Sequence, residues 1–333
     1  MASADDGLPV MRFVTISYPS FTRAGLMIGN EVLEIAAGLN YFSIASWSPE
    51  SVTDILEAED FGHSTSIALT ERFNRADSST IEELRQLAIL RPIDDAALMP
   101  PIPKPGCILL GGLAYRAHIA EMAAMFNMDV ESLIPEEPQG FFQSPNALVG
   151  HRGNIVLPES HSTMVDFEGE LALVVGKTCH RASEDEAMDY IAGYTLLNDV
   201  SARDWNATVR KEDGSLDYTY IRLGKQFPTF CPVGPCVVTK DELPDPGDIE
   251  YTLSLNGSEM QRANTSDLVH PVPRVLSHFS QWHVFQPGDL LSLGAPPGVG
   301  YGRDPQVFLE SGDVVEMSFP GLDVTLRNIV GGP

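Results

Sequence analysis

Residues 166–175 read Asp-Phe-Glu-Gly-Glu-Leu-Ala-Leu-Val-Val, so acids on alternate positions run without a break into five apolar residues. Side chains alternate between the two faces of a strand, which puts Asp166, Glu168 and Glu170 on one face. Phe167, Leu171, Leu173 and Val175 then point the other way, into a core. The acids alone would also suit the wet face of an edge strand. The continuous apolar stretch at 171–175 argues against that reading, because it needs cover on both faces. Carboxylates aligned at the head of a buried strand repel one another, and folding tolerates this poorly without a cation. A second acidic cluster follows at Asn198-Asp199-Val200-Ser201-Ala202-Arg203-Asp204. Oxygen donors at this density suit Mg²⁺, Mn²⁺ or Ca²⁺ rather than zinc.

The 333 residues are too many for one average domain. Residues 12–16, 24–28 and 32–35 read as strands of a small sheet, and 48–57 and 79–90 as helices, the second capped by Ser79. Pro100, Pro101, Pro103 and Pro105 then stop any regular element. The expected division is a small N-terminal α/β domain at 1–100 and a larger domain at 101–333. In the larger part, strands are expected at 107–110, 154–157, 170–175, 193–197, 234–238, 249–255, 290–293 and 314–319. Asn256-Gly257 marks a hairpin turn. Helices are expected at 115–126, 184–191 and 273–280. Many short strands and few helices give a mixed, β-dominated α+β fold rather than a doubly wound parallel sheet.

A net charge of −25 opposes nucleic acid and anionic membranes as partners. No apolar run is long enough to span a bilayer and the N-terminus has no signal-peptide pattern, so a cytoplasmic location is expected. Cys107, Cys179, Cys231 and Cys236 lack disulfide or zinc spacing and read as buried thiols. In the helix beginning near Tyr115, His118 and Glu121 are three residues apart and so share a face. A carboxylate-oriented imidazole is a general base able to draw a proton from water. Such pairs are also common on solvated helices, and only the acidic clusters give this one weight. His151, His161, His180, His270, His278 and His283 show no ligand spacing and read as structural.

These motifs, in order, resemble the fumarylacetoacetate hydrolase superfamily over residues 105–330. They are Asp166 to Lys177, Gly193-Tyr194-Thr195 with Asn198 to Asp204, Gly224-Lys225-x-Phe227, Gly234-Pro235, Asn256-Gly257, Pro287-Gly288-Asp289, Gly294 to Gly300 and Gly312 to Glu316. The resemblance implies a mixed β-roll catalytic domain, behind a variable N-terminal domain and usually dimeric. Its active site would bind Mg²⁺ or Mn²⁺, with Ca²⁺ as a substitute in crystals. It implies Glu168, Glu170 and Asp199 as metal ligands, Lys225 at the substrate's keto or enolate oxygen, and His118 with Glu121 as the water-activating dyad on a flap running to Pro138. Tyr115, Arg203, Gln261 and Ala295 would lie at the substrate. The implied reaction is hydrolysis of a C–C bond in a 1,3-diketone or acylpyruvate through a metal-bound enolate. A lyase or isomerase on the same site (oxaloacetate decarboxylase or tautomerase, or a 2-keto acid hydratase) stays open, as does a non-catalytic metal-binding homologue.

Three positions depart from the family pattern: Ala114 replaces an asparagine, Ser144 a lysine and Ala295 a threonine. Losing a charge and a hydroxyl weakens the grip on a small dianion, which points to a larger or less charged substrate. Residues 205–220 read first as a surface hairpin turning at Asp213-Gly214. Their functional reading is that Trp205, Tyr218 or Tyr220 shapes the pocket entrance.

Overall fold

The structure is a computed structural model that describes residues 10–158, 160–207 and 223–332. The first hundred residues carry strands β1 (Arg12–Ser17), β2 (Thr22–Ile28), β3 (Glu31–Glu34) and β4 (Leu90–Pro92), with helices α1 (Ile35–Tyr41), α2 (Val52–Glu57), α3 (Glu59–Asn74) and α4 (Ser78–Gln86). Past the prolines come β5 (Ile108–Gly112), α5 (Arg116–Phe126), β6 (Gln139–Phe142), β7 (Leu148–Val149), β8 (Asn154–Ile155), β9 (Val165–Asp166), β10 (Gly169–Val175) and β11 (Ile191–Asn198). The chain continues through β12 (Ser201–Ala202), α6 (Arg203–Ala207), β13 (Cys231–Thr239), β14 (Glu250–Leu255), β15 (Ser258–Asn264), α7 (Val272–Ser280), β16 (Leu290–Ser292), β17 (Val314–Ser318) and β18 (Thr325–Val330). The result is the expected β-dominated, mixed architecture.

Ten strands form one sheet in the order β4-β3-β2-β1-β13-β11-β10-β16-β5-β6, and β7 adds to β13. The N-terminal strands therefore join the same sheet as the rest, through the antiparallel pair of β1 with β13. A second, five-stranded sheet runs β15-β14-β17-β18-β8. Strand β10 is buried along its whole length. Leu171, Leu173 and Val175 pack into the core that includes Leu253 and Met317 of the second sheet, together with Phe167. Ala172 and Val174 face the other core, with Leu39 and Leu69 of the N-terminal helices. This is the two-faced cover that the apolar run requires. Asn256 and Gly257 both adopt positive φ, at 53° and 78°, and join β14 to β15 as the hairpin pattern predicts.

Several local expectations are corrected. Asp77, not Ser79, caps α4, its Oδ1 accepting the Thr80 N–H at 2.9 Å. Residues 184–191 form only a short 3₁₀ turn at Ala187–Tyr190, because Ile191 already pairs with Val175 in the sheet. Helix α3 was not legible in the sequence. Its buried face is Gly62, Thr65, Ser66, Leu69 and Thr70, which has little hydrophobic period to detect. The hydroxyls are satisfied internally: Ser66 Oγ donates to the Gly62 carbonyl at 2.8 Å and Thr70 Oγ1 to the Ser66 carbonyl at 2.9 Å. A Cβ on Gly62 would lie 2.1 Å from the Ile55 carbonyl oxygen, so only glycine lets the helix approach α2 this closely. The hairpin turn proposed at Asp213-Gly214, with Tyr218 and Tyr220, lies outside the described residues.

His151 is structural and pH-sensitive. Its Nδ1 accepts the Arg327 N–H at 3.2 Å, and burial, reinforced by Arg152, pushes its pKa down to about 4. The imidazole is thus neutral in the fold but takes a proton near its ordinary value once unfolded. Its contribution is complete above about pH 6.5 and is lost as pH falls toward about 4. Urea midpoints of the wild type should fall between pH 7 and 5, and His151→Gln should flatten that decline. Equal slopes for the two proteins would refute the assignment.

Candidate metal centre and water-activating dyad

The antiparallel pairing of β10 with β11 sets Gly169 opposite Asn198 and Glu170 opposite Leu197. Two clusters some thirty positions apart therefore meet at the strand ends. Asn198 Oδ1 accepts the Glu168 N–H at 2.9 Å, and the Asp199 N–H donates to the Glu168 carbonyl at 2.8 Å. Carboxylate oxygens of Glu168, Glu170 and Asp199 come within 4.8 Å of one another, all three residues buried.

Asp166 does not join them, because the strand breaks at Phe167 and Glu168 between β9 and β10. Its Oδ1 accepts the Gly300 N–H at 2.7 Å, and its Oδ2 accepts the Tyr301 N–H at 3.0 Å and Arg203 Nε at 2.8 Å. Arg203 also donates to Glu168. Lys225 sits on a 3₁₀ turn at Leu223–Lys225, its carbonyl accepting from Gln143 Nε2 at 2.5 Å. Its ammonium donates to Glu168 Oε2 at 2.5 Å and to Asp199, and lies 5.5 Å from the centre of the Phe141 ring.

The charges do not balance, since Arg203 and Lys225 face four buried carboxylates. Burial would raise Glu168, but Arg203 and Lys225 override it and hold that carboxyl well below its usual range. Burial, with Asp199 nearby, pushes Glu170 far up, and Ser292 Oγ donates to its carboxylate. Burial also lifts Asp199 to about 7 against the pull of Lys225. Among the described residues, Asp199 Oδ1 is buried without a hydrogen-bond partner. A converging all-oxygen set, an excess of negative charge and an unpartnered carboxylate oxygen fit a hard divalent cation. Glu168, Glu170 and Asp199 can hold one.

Helix α5 has no side-chain cap of its own, and Asp267 supplies one by accepting the Ala117 N–H at 3.0 Å. On its first turns His118 Nδ1 lies 2.9 Å from Glu121 Oε2, both side chains largely buried. Glu121 Oε1 accepts the Gly298 N–H at 3.0 Å. The pair stands close enough to the acids that His118 contributes to the field at Glu168. The far end of the flap segment is tied to α7 and the turn before it. His270 Nε2 lies 3.0 Å from the Pro135 carbonyl oxygen, and Arg274 donates to the Glu137 carboxylate at 3.2 Å.

The residues expected at the substrate are placed as follows. Tyr115 is fully buried, its hydroxyl accepting from Tyr251 at 3.0 Å. Gln261 accepts the Gly169 N–H at 2.9 Å and donates to the Pro296 carbonyl at 3.0 Å, tying β10 to the loop that contains buried Ala295. Arg203 is committed to the acids. Trp205 Nε1 donates to the His161 carbonyl at 2.8 Å, and its ring meets Phe227 edge-on. Ser292 and Gln143 were given no role by sequence reasoning, and Gly298 entered it only within the Gly294 to Gly300 motif. Single polar residues in apolar strands and loops carry no periodic signal. Among the described residues no helix is long and apolar enough to cross a membrane, and the four cysteines are free and buried.

The model of the fumarylacetoacetate (FAA) hydrolase C-terminal region matches residues 107–330. The chain is 41% identical over 230 residues to a 2,4-didehydro-3-deoxy-L-rhamnonate hydrolase of Sphingomonas sp. (strain SKA58), covering 69% of this chain and 75% of that protein. It is 37% identical over 245 residues to a mitochondrial oxaloacetate tautomerase of Bos taurus, covering 74% and 73% respectively. Among solved structures it resembles a 2-hydroxyhepta-2,4-diene-1,7-dioate isomerase from Mycobacterium marinum, with a TM-score of 0.64 and 27% identity over 97% of this chain and 98% of that one.

Proposed function

The chain belongs to the fumarylacetoacetate hydrolase family, and from that premise we propose that it is a divalent-metal-dependent hydrolase cleaving a C–C bond of a 1,3-diketone or acylpyruvate-type substrate. The observation that carries this reading is the His118–Glu121 pair, hydrogen-bonded at 2.9 Å and set beside the acidic triad. A hydrolase needs a base for water. With Nδ1 engaged by Glu121, Nε2 of His118 is the nitrogen left to take a proton. Mg²⁺ or Mn²⁺ on Glu168, Glu170 and Asp199 would supply Lewis-acid polarisation of the substrate's keto oxygens.

The chain's own residues do the rest. His118 takes a proton from water while Glu121 steadies the resulting imidazolium. The water oxygen adds to the carbonyl carbon farther from the acid end, and Lys225 stabilises the negative oxygen that develops. The C–C bond then breaks, its electron pair passing to the methylene carbon as an enolate. The proton held on His118 returns to that carbon, leaving a carboxylic acid and a ketone or pyruvate. The Sphingomonas relative's name describes a hydrolase of a 3-deoxy sugar acid oxidised at C2 and C4, which is a 1,3-diketone. That supports a hydroxylated, singly charged substrate, in line with Ser144 and Ala295 where the family commonly has lysine and threonine. The family's homodimer and a cytoplasmic location belong to this proposal as well.

The similarity to an oxaloacetate tautomerase favours a second reading, proton transfer on the same site without water addition. One assay separates the two. Loss of diketone ultraviolet absorbance is followed on acylpyruvates, deoxy-diketo sugar acids and oxaloacetate enol, with Mg²⁺ or EDTA, and products are identified. Metal-dependent cleavage to an acid and a ketone, fastest on the sugar acids, is expected. Enol–keto conversion of oxaloacetate without any cleavage would replace the hydrolase reading with the tautomerase one.

A further inference from the structure

The acidic cluster and the dyad come from distant parts of the chain, and one short turn touches both. On one side, Asp166 accepts the Gly300 N–H at 2.7 Å and the Tyr301 N–H at 3.0 Å, while sharing Arg203 with Glu168. On the other side, the Gly298 N–H donates to Glu121 at 3.0 Å. Arg303 Nε donates to the Gly298 carbonyl at 3.1 Å and so sets the orientation of that residue. Asp166 is wholly buried, and both of its carboxylate oxygens are taken up by these donors.

The glycines explain why the turn can come so close. Gly298 has φ +95°, and a Cβ there would lie 2.3 Å from the Met260 carbonyl oxygen. A Cβ on Gly300 would lie 1.8 Å from the Val307 carbonyl oxygen and 2.6 Å from Asp166 Oδ1. Gly302 differs, because the atoms nearest to its would-be Cβ are all of the Glu121 side chain, with Cδ and Oε1 at 2.9 Å. A methyl group at 302 could be accommodated by moving the Glu121 carboxylate, with no backbone atom nearer.

We propose that the 298–302 turn is a positioning element that sets the dyad against the acidic cluster, with Asp166 and Gly302 as its two positioning residues. Asp166 anchors the turn to the ligand Glu168 through Arg203. Gly302 leaves the space in which Glu121 reaches both Gly298 and His118. The inference rests on the water-activating role proposed for the dyad, and it adds residues that touch neither water nor substrate.

Gly302→Ala tests it with two readouts. The first is kinetic: kcat should fall about 100-fold while KM and the Mg²⁺ affinity, measured by calorimetry, hold. Adding Gly302→Ala to Glu121→Ala should cost nothing more, since the carboxylate it displaces is gone. The second is the ¹⁵N resonance of His118, which should move in Gly302→Ala as Nδ1 loses its partner. Asp166→Asn should shift that resonance and also weaken Mg²⁺ binding. If Asp166→Asn does not fold, the Gly302 variant decides alone. An unshifted His118 resonance, or full multiplication of the two losses in the double variant, would overturn the proposal. Should Glu121→Ala turn over at the wild-type rate, the dyad's role in water activation falls instead, and the resonance still reports whether the turn positions the pair.

Discussion

Replacing His118 with alanine is expected to lower kcat by about 10²–10⁴-fold, the range a general base contributes. KM should change little, because the role proposed for the imidazole is on water, where its loss is felt at the transition state. Mg²⁺ affinity should also hold, since the carboxylates that can hold the ion are fixed by the ends of β10 and β11 and not by α5. Glu121→Gln should give a smaller loss: the amide keeps a hydrogen bond to Nδ1 but not the charge that steadies the imidazolium. Steady-state kinetics with calorimetry on the same preparations separates these terms. Turnover in His118→Ala within a few-fold of wild type would remove His118 as the base.

Lys225→Met should produce the largest change in stability. Lys225 is 8% exposed and its ammonium is shared by Glu168 and Asp199, so its removal leaves two buried carboxylates facing each other with one cation fewer. Breaking a buried pair from one side costs about 3–5 kcal/mol, well above the worth of a surface ion pair. The melting temperature without metal should therefore drop sharply. Saturating Mg²⁺ should restore much of it, because a cation that binds only the folded carboxylates stabilises by mass action. Catalysis should remain impaired even then, if Lys225 also meets the developing oxyanion. An unchanged metal-free melting temperature would show that Lys225 does not neutralise the cluster.

The His118 resonance and calorimetry are the direct probes of the dyad and the triad respectively.

Much of this protein was legible in the chain. The continuous apolar run at 171–175 reports a strand buried on two faces, and β10 is such a strand, with Leu171, Leu173 and Val175 in one core and Ala172 and Val174 in the other. Asn256-Gly257 specified a hairpin because both residues tolerate positive φ. The spacing of His118 and Glu121 specified a contact because helix geometry is local. The triad of Glu168, Glu170 and Asp199 was named through the family resemblance, and antiparallel pairing brings it together.

What alternation could not tell is where the strand breaks. Periodicity placed Asp166 beside Glu168 and Glu170, yet the chain leaves strand geometry at Phe167, and the Asp166 carboxylate turns to Arg203 and the 298–302 turn. Helix α3 was hidden because hydroxyl and glycine residues face its core, where close approach to α2 replaces hydrophobic bulk. The joining of the N-terminal strands to the main sheet through β1 and β13, more than two hundred residues apart, has no local signature either. Local periodicities and turn chemistry are written in neighbouring residues and could be read from the chain alone. Which strand ends meet, which carboxylate turns away and which loop reaches the dyad depend on contacts between distant segments, and only tertiary packing decides those.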